Sequence, residues 1–215
     1  MKIVSLICQK GGAGKTTIAT NLAVLSERAG HPTVLLDLDP QATAAKWGDK
    51  RGGVPPDVVA AQAGRLARLL EDARRQGAEL AIIDTAPAAD TAALEATKVA
   101  DLVLVPCQPS DFDLGAVGAT VRLAEQVAGK PTWVVMNAIH PTSKITEEAV
   151  AVLTGAGVRV SPVRLVRRLD FVNGLPDGQS AVEWHPHGKA SQEIARLWEW
   201  TAATIGLREI AHVGE

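Results

Sequence analysis

Two lysines, Lys10 and Lys15, bracket the run Gly11-Gly12-Ala13-Gly14, and Thr16 and Thr17 follow directly. Glycines allow backbone N–H groups to converge on phosphate oxygens, and a helix starting at the last glycine adds its partial positive end. In such a loop Lys15 reaches the β/γ-phosphates and the Thr16 hydroxyl ligates Mg²⁺, so residues 11–17 form a triphosphate cradle. The bland alternative is a glycine-rich turn with solvated lysines. An apolar strand-like run before the loop and a periodic helical run after it, with Ile18, Leu22 and Leu25 on one face, argue for the cradle. The loop departs from the ordinary pattern in two places: Gln9 stands where glycine is usual, and Lys10 is an additional cation.

Three carboxylates fall at the ends of apolar runs. Leu35-Leu36-Asp37-Leu38-Asp39-Pro40-Gln41 closes one, and Leu80-Ala81-Ile82-Ile83-Asp84 closes another. A buried strand that delivers Asp84 to a phosphate-bound metal is the physical form of a Walker B segment, and a strand-capping Asp84 is its bland counterpart. Asp37 can assist the Mg²⁺ shell or cap its strand end, and the whole segment can be read as a strand ending in a Pro-containing turn. Val134-Val135-Met136-Asn137 ends a later run. Asn137 can both donate and accept at a base edge, and it can equally be a turn residue.

These residues need elements to position them. Short apolar runs at 3–8, 33–37, 80–84, 102–106 and 132–137, with a weaker one at 158–165, read as strands buried on both faces. Between them lie alanine-rich periodic stretches at 16–29, 60–76, 91–99, 114–127 and 146–153, which read as crossover helices. That alternation predicts an α/β fold: a doubly wound, mostly parallel sheet with helices on both faces, the P-loop NTPase arrangement, with its ligand at the carboxyl ends of the strands. Residues 48–57 and 173–188 lack periodicity and read as surface loops. The 215 residues, 47% hydrophobic, suit a single domain spanning 1–215.

Composition narrows the function. Lysine plus arginine number 22 against 24 acidic residues, a net charge of -2, so no global basic field marks a nucleic-acid binder. Cys8 and Cys107 sit in apolar runs and suit reduced, buried core positions. Without a Cys-x-x-Cys pair, a role in electron transfer or cluster assembly has no ligand set. No apolar run approaches the roughly 20 residues needed to cross a bilayer, and the expectation is a cytoplasmic protein.

Lys10-Gly11-Gly12-Ala13-Gly14-Lys15-Thr16 resembles the deviant Walker A motif of the ParA/MinD superfamily of partition and positioning ATPases, and residues 37–41 resemble its first switch motif. The resemblance implies an Mg²⁺-dependent ATPase, slow without its partner, that closes into a homodimer around ATP. By position, Lys10 reaches the phosphates held by the other subunit, Lys15 attends its own, and Asp39 positions the attacking water. Thr16, Asp37 and Asp84 then serve the metal, Asn137 contacts adenine, and residues 85–87 form the second switch. Val105-Pro106 and Pro109-Ser110-Asp111-Phe112-Asp113 are similar to a segment on the family's dimer face, and residues 180–194 resemble the C-terminal pattern of small partition proteins such as ParF.

The resemblance further implies non-specific binding to nucleoid DNA, with Arg159, Arg164, Arg167 and Arg168 as the local basic cluster, and a ParB-type or other adaptor that stimulates hydrolysis. A solvated charged face is the alternative for those arginines. With the phosphate loop beginning at residue 10, the expectation is a chain without the helix-turn-helix domain of larger ParA proteins. A MinD-like membrane attachment is a second reading, but residues 207–215 carry one arginine and two glutamates, a poor match to an anionic surface. The side chains of Ile194, Leu197, Trp198, Thr201 and Ile205 share a helical face of the kind that packs into a core. A third reading is an ATP-dependent metabolic ligase of the dethiobiotin synthetase type.

Overall fold

Strands with no polar face must be covered on both sides, and the central strands of this protein are buried along their whole length. In the computed structural model, which describes residues 1–87, 91–109 and 114–207, the chain alternates strand and helix. The elements are β1 (Lys2–Leu6), α1 (Lys15–Arg28), β2 (Thr33–Asp37), α2 (Thr43–Lys50), β3 (Asp57–Ala60), α3 (Leu66–Arg75), β4 (Leu80–Asp84) and α4 (Thr91–Val99). They continue with β5 (Leu102–Cys107), α5 (Leu114–Arg122), β6 (Thr132–Met136), α6 (Lys144–Gly155), α7 (Asp170–Asn173), α8 (Ala181–Trp184) and α9 (Lys189–Ile205).

All strand pairs are parallel, in the order β3-β2-β4-β1-β5-β6. From β1 the chain crosses β4 to reach β2, and from β4 it crosses β1 to reach β5, so the connections diverge around the centre of the sheet. Ligands of open α/β sheets bind at such a divergence. Register then sets the chemistry: Asp84 lies level with both Leu6 of β1 and Asp37 of β2. Two carboxylates and the start of the glycine loop therefore share one edge.

One face of the sheet is covered by α1, α2, α8 and α9, through Ile18, Leu22, Trp47, Val182, Ile194, Leu197 and Trp198 among others. The opposite face is covered in two patches, by α3 with Leu66 and Leu70, and by α5 and α6 with Val117, Val121 and Leu153. Ile194, Leu197, Trp198, Thr201 and Ile205 are all buried, so the apolar stripe of α9 is core, as its spacing predicts. Among the described residues no helix is long and apolar enough to cross a membrane. Cys8 and Cys107 are both buried.

Several boundaries differ from the sequence expectation. The expected strand at 158–165 is absent, replaced by isolated bridges from Val160 to Val134 and from Val166 to Ile139, because Pro162 cannot donate to a ladder. Residues 48–57 are not simply a loop: they hold the end of α2 and the first residue of β3. The helix expected over 60–76 starts later, with a 3₁₀ turn at Ala63–Arg65 before α3, and residue 60 belongs to β3. Residues 173–188 contain a 3₁₀ turn at Leu175–Asp177 and the helix α8.

That last segment is fixed to α2 by an ion pair. The Arg51 guanidinium meets both Glu183 oxygens, at 2.9 and 2.8 Å, donates to the carbonyls of Gly178, Val54 and Pro55, and lies over the Trp47 ring. Burial pushes the Glu183 carboxyl up, but hydrogen bonds from Arg51 and Ser180 outweigh it and hold the acid below its usual range. This contribution is present at neutral pH and is lost as pH falls through the lowered value. Arg51→Ala leaves a half-buried carboxylate without its counter-charge and is expected to cost about 3–5 kcal/mol in denaturant unfolding. A loss of only a few tenths would show that the pair is solvated.

Candidate functional site

The glycine loop leaves β1 at its carboxyl end and enters α1 at Lys15. Gly12 and Gly14 both take positive φ, 75° and 94°, a region open to glycine and strained for other residues. At Gly14 space is limiting as well: a Cβ built there would lie 2.2 Å from the Asn137 side-chain nitrogen. The turn delivers Lys15, only 6% exposed, to the amino end of α1, while Lys10 remains exposed at the mouth.

Thr16 and Asp84 meet, with the Thr16 hydroxyl donating to Asp84 Oδ2 at 2.6 Å. The second Asp84 oxygen is fully buried and has no hydrogen-bond partner among the described residues. A hydroxyl and a carboxylate with an unsatisfied oxygen form a hard donor set that suits Mg²⁺. Burial pushes the Asp84 carboxyl up to about 7; the charges of Asp37 and Asp39 add to the rise, while the Thr16 hydrogen bond and Lys15 oppose it.

The sign of the resulting pH dependence is fixed. A carboxyl raised above its unfolded value of roughly 4 makes the nucleotide-free fold less stable as pH climbs from there to about 7. Mg²⁺ needs the ionised form, so metal-nucleotide affinity should weaken below pH about 7 and binding there should release a proton. Calorimetry in buffers of different ionisation enthalpy measures that proton, and Asp84→Asn should abolish it. Proton release that persists in this variant would point to a different group.

Asp37 is committed to the backbone. Its Oδ1 accepts from the Asp39 amide at 3.0 Å and its Oδ2 from the Ala45 amide at 2.9 Å, so it caps the start of α2 as well as its own strand end. Of the two roles its place in the sequence suggests, assisting the Mg²⁺ shell or capping the strand end, these bonds are those of the cap. Asp39 is half-exposed, accepts from the Gln41 amide at 2.9 Å, and lines a cavity of about 670 Å³ with Asp37, Pro40, Gln62 and Arg65. Thr85 donates to the Leu6 carbonyl at 2.9 Å and ties the segment after β4 to β1.

Asn137, just past β6, donates from its amide nitrogen to the Ala13 carbonyl at 2.8 Å. Gln108, just past β5, does the same to Gly12 at 2.6 Å. Both line a cavity of about 580 Å³ beside the loop, with Gly14, Thr17, Ala138, Val166, Arg167, Leu169 and Phe171 among its walls. Its position beside the phosphate loop gives room for a nucleotide base. Sequence reasoning missed Gln108, since a lone amide after an apolar strand gives no signal until the fold brings Gly12 to it.

Three arginines of the basic cluster have acidic partners. Arg159 pairs with Glu125 at 3.2 Å and lies over Trp133, Arg164 pairs with Glu147, and Arg168 pairs with the buried Glu193. Arg167 and Arg168 also line the cavity beside the phosphate loop. Three of the four arginines expected to meet DNA thus have an acidic partner, because the turns that gather them also bring acidic side chains from neighbouring helices. Arg167 has no ion pair among the described residues. The dimer-face segment at 110–113 and the tail at 208–215 lie outside the described residues.

The chain has recognisable relatives among known proteins. A family model described as the CobQ/CobB/MinD/ParA nucleotide binding domain matches residues 4–177. A maintenance of carboxysome distribution protein A from Gloeobacter kilaueensis is 37% identical over 93% of this chain and 85% of its own length. The chromosome-partitioning ATPase Soj of Thermus thermophilus is 32% identical over 58% of this chain and 61% of its own. Among solved structures, the cell division ATPase MinD of Pyrococcus furiosus superposes with a TM-score of 0.72 at 18% identity, covering 94% of this chain and 98% of that one.

Proposed function

Because the chain belongs to the CobQ/CobB/MinD/ParA nucleotide-binding family, we propose that it is a positioning ATPase of the ParA/MinD type that works as an ATP-closed homodimer on DNA. One observation carries the reading: Lys15 is buried at the phosphate loop while Lys10 is exposed at its mouth, where a second subunit's nucleotide can be met. Lys15 holds charge beside its own phosphates, and Lys10 supplies charge across the interface, which couples ATP binding to association. Thr16 and Asp84, with Asp37 beside them, would hold Mg²⁺, which when bound would neutralise charge on the β/γ oxygens. Asp39, on a loop anchored by Asp37, orients the attacking water, and Asn137 attends the base.

DNA binding follows from dimerisation. A single Arg167 on each subunit is a weak contact, and pairing two subunits doubles the number of phosphates met. The 37% relative spans 93% of this chain, which favours a large protein assembly as cargo, with an adaptor protein to stimulate hydrolysis. The metabolic ligase alternative has support from the shared fold alone.

Light scattering tests the reading. With Mg-ATP the protein should shift from monomer to dimer, and Asp39→Ala should prolong the dimer by blocking hydrolysis. On unrelated DNA, retention should require ATP and weaken steeply with salt. A permanent monomer would sink the proposal.

A further inference from the structure

We propose that Gln108 is a positioning residue of the phosphate loop, and that with Asn137 it forms a two-amide clamp that sets the loop's N–H groups for phosphate before any ligand arrives. The inference rests on the nucleotide-binding reading of the loop and adds to it a residue with its own role.

Consecutive carbonyls are gripped from one side: Gln108 Nε2 donates to Gly12 at 2.6 Å, and Asn137 Nδ2 donates to Ala13 at 2.8 Å. In a trans peptide the N–H points opposite to the carbonyl of the same unit. The Gly12 carbonyl shares its peptide with the Ala13 N–H, and the Ala13 carbonyl with the Gly14 N–H. Holding both carbonyls toward the amides therefore turns both N–H groups away from them. No group among the described residues accepts from the Ala13 or Gly14 N–H. Two unsatisfied donors facing one way are a fixed concave site for an anion.

The clamp explains a constraint in the loop itself. Asn137 comes so close that a Cβ on Gly14 would lie 2.2 Å from its nitrogen, so glycine at this position admits the amide as well as permitting the turn. Gln108 and Asn137 stand at the ends of neighbouring strands, β5 and β6, whose backbones are further tied by the Asn137 amide donating to the Cys107 carbonyl at 2.8 Å. The two amides thus have a rigid common base. They also line the cavity of about 580 Å³ beside the loop, together with Gly12 and Gly14.

The test separates a clamp from a simple base contact. Gln108→Met keeps the length of the side chain and removes the donor, while Gln108→Glu keeps the shape and sets an acceptor against the Gly12 carbonyl. Each is titrated with Mg-ATP and with base-free Mg-tripolyphosphate, and the nucleotide-free Tm is recorded. Expected is a loss of about tenfold in affinity for both ligands with Met, a larger loss with Glu, and an unchanged nucleotide-free Tm. A loss confined to ATP would overturn the clamp in favour of base recognition, and a fall in Tm that accounts for the weaker binding would reduce Gln108 to a structural brace. Undiminished binding of tripolyphosphate by both variants also overturns it. Failure of the wild type to dimerise on binding ATP would sink the switch reading while leaving a parallel loss, and so the clamp, in place.

Discussion

Lys10→Ala should bind Mg-ATP nearly as well as the unaltered protein, remain monomeric in its presence, and lose about 10³-fold in hydrolysis, the scale set by charge supplied in trans to a transferring phosphoryl group. The split follows from where the two lysines stand. Lys15 is buried at the start of α1, so its removal strikes binding itself; Lys10 is exposed, so its removal should spare the cradle and strike the closed pair. Light scattering with ATP, together with single-turnover hydrolysis, checks both halves of the expectation. A variant that dimerises and hydrolyses normally would leave Lys10 as an ordinary surface charge. A variant that no longer binds nucleotide would move Lys10 into its own subunit's cradle.

The second large effect is expected at Gly14, with Gly12 as its control. Gly14→Ala combines a left-handed backbone, φ 94°, with a side-chain carbon set 2.2 Å from Asn137, an overlap that must displace either the loop or the amide. Gly12→Ala meets nothing within 4 Å and carries only the conformational strain of φ 75°, on the order of 1 kcal/mol. Nucleotide affinity should therefore fall roughly 100-fold or more in the first variant and about fivefold to tenfold in the second. Equilibrium titration with a fluorescent ATP analogue compares them directly. Equal losses would mean that backbone strain alone governs the loop and that the approach of Asn137 is incidental.

The parts of the site legible in the sequence are those in which chemistry and local structure share a short window. The run from Lys10 to Thr17 lies between an apolar strand and an amphipathic helix, and Asp84 ends a strand buried at every position, so each announces its place without help from the rest of the chain. The strands β2 and β4 are legible for the same reason. By contrast β3 is an exposed edge strand, with only Val58 partly covered, and it follows Pro55-Pro56 and runs into alanines that mimic a helix. Its existence depends on pairing with β2, a partner no local pattern reveals. Helix α2 is similarly hidden, since its amino end is capped from a distance by Asp37 instead of by a serine or threonine at the cap.

The arginines show the opposite case. Arg164, Arg167 and Arg168 are close in sequence, which suggests a shared face, but Glu147 and Glu193, which pair with two of them, come from α6 and α9. Gln108 was invisible because its meaning lies in a carbonyl 96 residues away. Charge runs and single amides carry their information in tertiary contacts, which is where local reading stops.

Helix α2 is fastened at both ends: Asp37 holds the Ala45 amide at one, and Arg51, just beyond the other, is locked to Glu183 and to the Gly178 carbonyl. The helix is in effect a strut between β2 and the segment that carries α8. Between that strut and β2 lie residues 38–42, where Ala42 sits at a positive φ of 51°. On the proposed switch reading, a change at Asp39 would then be a short-stroke rearrangement of one tight bend, with the surrounding frame held still.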